Sequence, residues 1–563
     1  MDRVWVKQYE PGVSAHLDYP PVPITQFLED AVVKYPNHIA TLFGNGGMDA
    51  ALTYAELNDL VNRFANALSA LGVKKGERVA IYLPNCPQFV IAYYATLKIG
   101  AVVAPVNPLY TPRELEHQVK DAGAETIIVL SRFYPNVQQV RGNTKLKNVI
   151  VTNIKEYFKP VLKLLFTLAK EKKDGHRVTL AAGDKWFQDV LATGAATKPN
   201  VVVKPEETAV LMYTGGTTGV SKAAELTHKN IVANTIQLRA WSPDSQPGKE
   251  VFMVALPLYH SYAMTVCMNQ AVYLGGKMIL IPNPRELAHV LKSADKHKPT
   301  FFPGVPTLYI AINNNPQVGK YDLKSIRVCL SGAAGLPQDV QTGFQKLTGA
   351  TLVEGYGLSE ASPVTHSNPL APGKSRLGSI GVPLPDTDCK LVDVDAGTKE
   401  VALGEPGELC IKGPQVMKGY WNQPDETAKT LRDGWLHTGD IAVMDADGFF
   451  RIVDRKKDMI IVGGFNVYPR DVEEVLYQHP KVLEAVVAGI PDARSGEMVK
   501  AYVVRKPGEN VTADELMAYC AQNLTNYKRP KVIEFREALP KTAIGKILRR
   551  QLVDEEKQKM AKG

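Results

Sequence analysis

The sequence predicts an α/β protein of more than one domain. Three observations carry this. The chain has 563 residues, too many for one hydrophobic core. Helical patterning alternates with short β-branched runs over most of its length. Its composition, 45% apolar and 22% charged, is that of an ordinary globular protein and excludes disordered or collagen-like classes. Neither an internal repeat nor a low-complexity tract interrupts the pattern.

The elements follow in order. Tyr54 to Leu71 has the spacing of an amphipathic helix, and Arg78 to Leu83 reads as a buried strand. Lys155 to Lys173 interleaves Tyr157, Phe158, Val161, Leu162, Leu164, Leu165, Phe166 and Leu168 with six lysines, and Pro160 stands near its start. This is a short basic amphipathic helix. It either packs on its own domain or faces a membrane and collects lipid. Ala209 to Tyr213 is a second strand. It enters a loop from Thr214 to Lys222, and a short strand to Leu226 follows. Thr227 is placed to cap a helix that begins near His228. Gly434 to Asp440 and Asp445 to Gly448 read as turns between strands. A boundary is expected near Asp454, before the charged run Asp454-Arg455-Lys456-Lys457-Asp458 and strand-like Met459 to Val462. This divides the chain into 1–453 and 454–563, and the second part is the size of a small independent domain.

Charge and cysteine usage narrow the partners. The net charge is +8, and residues 455–563 hold 20 Lys+Arg against 15 Asp+Glu, so +5 of it lies there. A mild basic bias suits a polyanionic ligand or an anionic membrane surface. It is too dispersed for nucleic acid, and no nucleic-acid motif is present. Cys86, Cys267, Cys329, Cys389, Cys410 and Cys520 form no CxxC pair and no zinc spacing, so reduced thiols in a cytoplasmic protein are expected. The N-terminus has no apolar signal core and the C-terminus no targeting tag. No apolar run reaches the ~18 residues needed to span a bilayer.

Four segments carry chemistry. Tyr213-Thr214-Gly215-Gly216-Thr217-Thr218-Gly219-Val220-Ser221-Lys222 joins three glycines, several hydroxyls and a lysine, the means to cradle phosphate. It is not a Walker A loop, which needs Gly-Lys-Ser/Thr opening directly into a helix. Alone, it also admits a flexible hairpin, the lesser of the two readings. Gly355-Tyr356-Gly357-Leu358-Ser359-Glu360 supplies an aromatic ring for stacking and a carboxylate for a hard cation. The segment Gly434 to Asp440 supplies an acceptor for ribose hydroxyls. Pro540 to Arg550 supplies Lys546 after Gly545. Taken singly, Tyr356 reads as well as core, Asp440 as a turn residue and Lys546 as a solvated charge.

In this order and spacing, the segments resemble the acyl-adenylate-forming superfamily, from Val4-Trp5 to Arg550. The stretches Asn107 to His117, Ala255-Leu256-Pro257-Leu258-Tyr259-His260 and Ile452 to Pro469 are most similar to bacterial long-chain fatty-acid–CoA ligases. The resemblance implies a large multi-sheet N-terminal α/β domain with a barrel-like section, then a small mobile α/β C-terminal domain. It implies ATP, Mg²⁺ and coenzyme A as cofactor and co-substrates, and a fatty acid joined to coenzyme A through an acyl-adenylate.

Residue by residue, it places Thr214, Gly215, Gly216, Thr217, Thr218, Gly219 and Lys222 on the β- and γ-phosphates. Thr214 and Glu360 would hold Mg²⁺. Gly332, Ala333 and Ala334, with Gly355 and Tyr356, would frame the adenine, and Gly357 and Ser359 would belong to the same cofactor-binding set. Asp440, Ile452 and Arg455 would flank the ribose. His260 would lie beside the carboxylate, Lys546 would reach the reacting oxygens, and Asp454 would be the hinge. Gly463, Gly464 and Phe465 would line the pantetheine path. Two departures stand out. Ala223 occupies a position usually Gly, where a methyl is expected to crowd the backbone or restrict φ. Ser359 stands where Thr is usual.

Alternatives of other kinds are a medium-chain or aryl acid–CoA ligase, an acyl-AMP ligase that loads a carrier protein, and a non-catalytic lipid-binding protein. The expected partners are small molecules, with peripheral membrane contact through 155–173 and a homodimer compatible with the resemblance.

Overall fold

The computed structural model describes residues 3–214, 221–456, 458–462, 465–492, 496–542 and 547–560. An eight-stranded sheet forms the first layer. Its order is Gly419–Tyr420, Lys222–Thr227, Thr208–Thr214, Val102–Pro105, Arg78–Tyr82, Thr126–Leu130, Asn148–Thr152 and Lys185–Trp186. The strands from Thr208–Thr214 to Lys185–Trp186 run parallel, and the two at the other edge are antiparallel. Side-chain alternation splits these strands between two cores. Val79, Ile81, Val103, Ile128, Ile150 and Val210 face the main core. Ala80, Tyr82, Val102, Ile127, Val149 and Leu211 face a second one. A sheet covered on both sides needs such uniformly apolar strands.

Local signals set the helices. Tyr54–Ala70 starts at Thr53, whose side chain accepts from the Glu56 N–H while Glu56 reaches back, a complete capping box. Thr227 caps His228–Trp241 in the same way with Asn230. The basic segment becomes a short 3₁₀ turn, Ile154–Tyr157, and the helix Pro160–Ala169, with Pro160 in its first turn.

A second layer joins two four-stranded sheets. One is Val251–Val254, Lys277–Leu280, Ile39–Phe43 and Ala50–Thr53. The other is Val328–Ser331, Thr351–Gly357, Val364–Ser367 and Val382–Pro383. Bridges from Phe252 to Phe301 and from Phe301 to Val328 connect them. An antiparallel, barrel-like sheet follows: Asp388–Val392, Gly407–Lys412, Trp435–Met444 and Leu431–Arg432, with Phe450–Arg455 beside Trp435–Met444. Here one sequence expectation is corrected. Only Gly434, at φ 78°, is turn; Trp435 to Asp440 is strand, because its backbone pairs with both Gly407–Lys412 and Phe450–Arg455.

The chain after Asp454 builds a sheet of its own from Phe465–Val467, Ile460–Val462, Gly496–Arg505, Val482–Asp492 and Val532–Phe535. Separate apolar clusters cover its two faces. All six cysteines are free and buried. Among the described residues, no helix is long and apolar enough to cross a membrane.

Candidate active site

Thr214, Lys222, Gly332 and Gly357 lie at strand ends or just after them, where open α/β sheets leave backbone groups free for ligands, whereas Asp440 and Ile452 lie within strands. Thr214 ends its strand and Lys222 begins the next, and the two pair across the hairpin. Thr214 Oγ1 donates to the Lys222 carbonyl at 3.3 Å. Ala223 lies in regular antiparallel pairing with Tyr213, fully buried, and its φ is not in the left-handed region. Its carbonyl accepts from the Trp421 N–H at 2.9 Å. The expected crowding at Ala223 therefore does not arise, because extended backbone accepts any L residue.

Strand Thr351–Gly357 carries Gly355, Tyr356 and Gly357 into the short 3₁₀ helix Ser359–Ala361. At Gly357 a Cβ would come within 2.2 Å of the Pro363 carbonyl oxygen, so only glycine fits. Ser359 is buried, with its hydroxyl 3.4 Å from that of Ser261. The Glu360 carboxylate accepts from Tyr420 Oη at 2.8 Å. Burial first, and then this carboxylate, push the Tyr420 hydroxyl well above its usual pKa, so it stays a donor.

Tyr356, Asp440 and Arg455 form the tightest polar cluster. Tyr356 Oη donates to Asp440 Oδ2 at 2.5 Å. Asp440 and Arg455 are direct partners across two antiparallel strands, and Arg455 Nε lies 3.3 Å from Asp440 Oδ1. Burial raises the Tyr356 pKa well above normal and the carboxylate adds to it. Behind the ring, buried His366 stands edge-on at 5.8 Å and is pushed down to about 3 by burial alone. This back wall is uncharged at neutral pH. Ile452, half-buried, pairs with Ala442 on the same strand pair.

Gly332, Ala333 and Ala334 follow strand Val328–Ser331, with Ala333 at φ 69°. Beneath Gly332 lies the Tyr262 ring, whose hydroxyl donates to the Leu330 carbonyl at 2.6 Å. His260 is two residues before Tyr262. It caps the short helix Ser261–Ala263, with Nδ1 accepting from the Tyr262 N–H at 3.2 Å. That helix continues through a π-helical turn, Met264–Asn269, into Gln270–Leu274.

Gly215, Gly216, Thr217, Thr218, Gly219, Gly463, Gly464 and Lys546 lie outside the described residues, as does the Phe465 side chain.

A magnesium ion prefers oxygen ligands, usually one or two carboxylates plus substrate phosphates and water. Thr214 and Glu360 offer one hydroxyl and one carboxylate, and the short helix bearing Glu360 packs against the strands that end at Thr214 and begin at Lys222. No group of three or more metal-ligating side chains occurs among the described residues. The donor set fits an ion that arrives with a nucleotide, not one caged by protein alone.

Three participants escape a reading of the sequence. Tyr420 meets Glu360. Glu426 ion-pairs with Lys222. Glu354, one residue before Gly355, accepts from the Leu336 N–H at 3.1 Å and lies 3.6 Å from buried Arg470. Each is a contact between residues distant in the chain, and no local pattern announces it.

Comparison with known proteins decides the family. A model described as AMP-binding enzyme matches residues 28–421, and one described as AMP-binding enzyme C-terminal domain matches 471–546. The chain belongs to the AMP-binding enzyme family. Within it, the chain is 45% identical over 558 residues to a long-chain-fatty-acid–CoA ligase of Bacillus subtilis (strain 168), covering 98% of each. It is 43% identical over 564 residues to one of Yersinia pestis, covering 99% of this chain and 98% of the other. Its fold is similar to that of an anthranilate CoA ligase in complex with anthranoyl-AMP, with a TM-score of 0.84 at 28% identity, over 97% of this chain and 99% of the other. This AMP-binding enzyme therefore has relatives of the same length, and both of its matched regions fall on the two parts separated at Asp454.

Proposed function

We propose that this AMP-binding enzyme is an ATP-dependent long-chain fatty-acid–CoA ligase. In the first half-reaction a fatty carboxylate oxygen attacks the α-phosphorus of ATP and pyrophosphate leaves. In the second, the thiol of coenzyme A attacks the acyl carbonyl, AMP leaves, and the thiol proton goes to solvent. The observation that carries this reading is the end-to-end likeness to relatives bearing that name, at 45% identity over 98% of both chains.

Two anions must meet in the first step, so charge and position dominate. Lys222 and the loop before it hold the departing pyrophosphate. Thr214 and Glu360 hold Mg²⁺, which spreads the negative charge of the phosphates when bound. Tyr356 and the 332–334 loop frame the adenine, and Asp440 with Arg455 and Ile452 takes the ribose. His260 lies beside the carboxylate. Lys546 neutralises charge at the reacting oxygens. Orientation of this kind lowers a barrier by roughly 7–11 kcal/mol. Residues 454–563 act as a separate domain that turns at Asp454, withdraws Lys546 and brings Gly463, Gly464 and Phe465 to the thiol.

The helix Pro160–Ala169 favours peripheral membrane contact. It presents Val161, Leu164, Leu165 and Leu168 to solvent, 61%, 59%, 50% and 77% exposed. These are positions i, i+3, i+4 and i+7 of one face, and exposed Lys159, Lys170, Lys172 and Lys173 flank them. An anionic lipid surface matches both the apolar face and the charge.

A second reading, an aryl acid–CoA ligase, draws on 37% identity to a feruloyl-CoA synthase of Amycolatopsis over 91% of this chain. A competition assay with acetate, benzoate, octanoate and palmitate separates the two. Palmitate winning is the expected outcome, and benzoate winning overturns the fatty-acid assignment.

A further inference from the structure

Lys222 has a carboxylate partner within the protein. Its ammonium is ion-paired with Glu426 and lies 5.4 Å from the centroid of the Tyr420 ring. Glu426 belongs to the helix Pro424–Thr430, which is anchored well enough to aim it. Thr427 Oγ1 accepts from the Tyr420 N–H at 2.8 Å and donates to the Gln423 carbonyl at 2.9 Å. The other Glu426 oxygen, Oε1, accepts from Lys429 Nζ at 2.8 Å. Lys222 and Lys429 together hold the Glu426 carboxyl at about 2, below the usual carboxylate range, so it is ionised at every working pH. Tyr420 also reaches Glu360, so one short chain of contacts, Glu426–Lys222–Tyr420–Glu360, ties the phosphate lysine to the carboxylate assigned to the metal.

We propose that Glu426 is a positioning residue that parks Lys222 before ATP binds and yields it to the polyphosphate. This rests on the reading above that Lys222 contacts phosphate. The physical argument is competition. A lysine ammonium is a point charge on a flexible stem and follows the stronger anion. A triphosphate outbids a half-exposed carboxylate, but the ion pair must first be broken, and the carboxylate left behind repels the incoming phosphates. Lys429 makes the exchange reversible, because Glu426 keeps one cation after Lys222 departs. Glu426 therefore sets the apparent affinity for ATP without touching the reacting atoms.

The test is a set of variants assayed for acyl-AMP formation at varied ATP, with ATP binding measured in parallel by calorimetry. Glu426→Gln is expected to lower the KM for ATP and the Kd about three- to tenfold, with kcat changed less than about twofold. Lys429→Gln removes the alternative partner and is expected to raise both about twofold or more. Asp425→Asn, an exposed acid on the same helix with no part in the pair, is expected to change neither by more than about twofold. In a Lys222→Ala background, Glu426→Gln should have no effect on ATP affinity. An unchanged or raised KM in Glu426→Gln overturns the proposal, and so does the same gain with or without Lys222. If Lys222→Ala alone leaves ATP affinity intact, the phosphate role of Lys222 falls and the parking role with it. If Lys222→Ala weakens ATP but Glu426→Gln does not strengthen it, only the parking role falls.

Discussion

At the residue scale, the candidate site is a set of carboxylates held in place by tyrosine hydroxyls and basic side chains. Asp440 shows how. Its two oxygens are divided between Tyr356 Oη and Arg455, which fixes its orientation. Hydrogen bonds to a charged group contribute about 1.5–3 kcal/mol. Asp440→Asn keeps the shape and removes the charge, so the KM for ATP should rise roughly tenfold or more, and the melting temperature should fall as the bonds to Tyr356 and Arg455 weaken; steady-state kinetics alongside a melting curve check both. The chemistry-bearing types here were legible in the sequence: a Tyr between glycines, a Glu three residues after Gly357, an Asp after Gly439. Their partners were not. Nothing local announces that Tyr420 will meet Glu360, or Glu426 Lys222, since those contacts span 60 and 204 positions. Ala223 teaches the reverse lesson. The sequence flags it as a departure, and only the strand register shows that the added methyl costs the backbone nothing.

At the element scale, helices with strong local signals appear where the pattern places them. The capping Thr227 was readable from one residue, and Tyr54–Ala70 from its apolar period. The strand Trp435–Met444 was not, because Thr438 and Gly439 look like turn residues until two neighbouring strands pair with the segment. The basic helix Pro160–Ala169 packs on its own domain through one side. Phe158 stacks on Phe43 and meets Phe166 edge-on, which fixes one side to the protein. The face with Leu164 and Leu168 remains outside. Each fully buried leucine contributes about 1.5–3 kcal/mol, so two of them on a lipid surface matter. Leu164→Asp with Leu168→Asp should reduce sedimentation with anionic vesicles at least tenfold while leaving activity on detergent-solubilised palmitate intact. Equal sedimentation of both proteins would remove the membrane role.

At the scale of the whole molecule, the junction near Asp454 is crowded with charge. The Asp454 carboxylate accepts from the Arg455 and Arg470 N–H groups, at 2.7 and 2.9 Å, and lies 3.3 Å from Arg549, which also reaches Asp458 and Glu473. Burial dominates, and the Asp454 pKa is raised from 3.8 to about 6. Arg470 then bridges to Glu354, one residue before Gly355, a contact between the chain before and after Asp454. The sign of the linkage follows. An arrangement that buries Asp454 binds a proton more tightly than one that exposes it. Its advantage is complete below the ordinary pKa and is lost as pH rises through about 6. Lowering the pH from 7 to 5 should favour the arrangement seen here about tenfold. Energy transfer between labels on the two parts reads this directly, and Asp454→Asn should abolish the pH step. A step that survives in Asp454→Asn belongs to another group.

The central claim is that segments far apart in the chain close on one nucleotide and that Lys546 serves the first half-reaction only. It is tested most directly by Lys546→Ala, assayed separately for palmitate-dependent pyrophosphate release and for thioester formation from pre-made palmitoyl-AMP. Pyrophosphate release should be abolished and thioester formation spared. Loss of both halves to the same extent would contradict it.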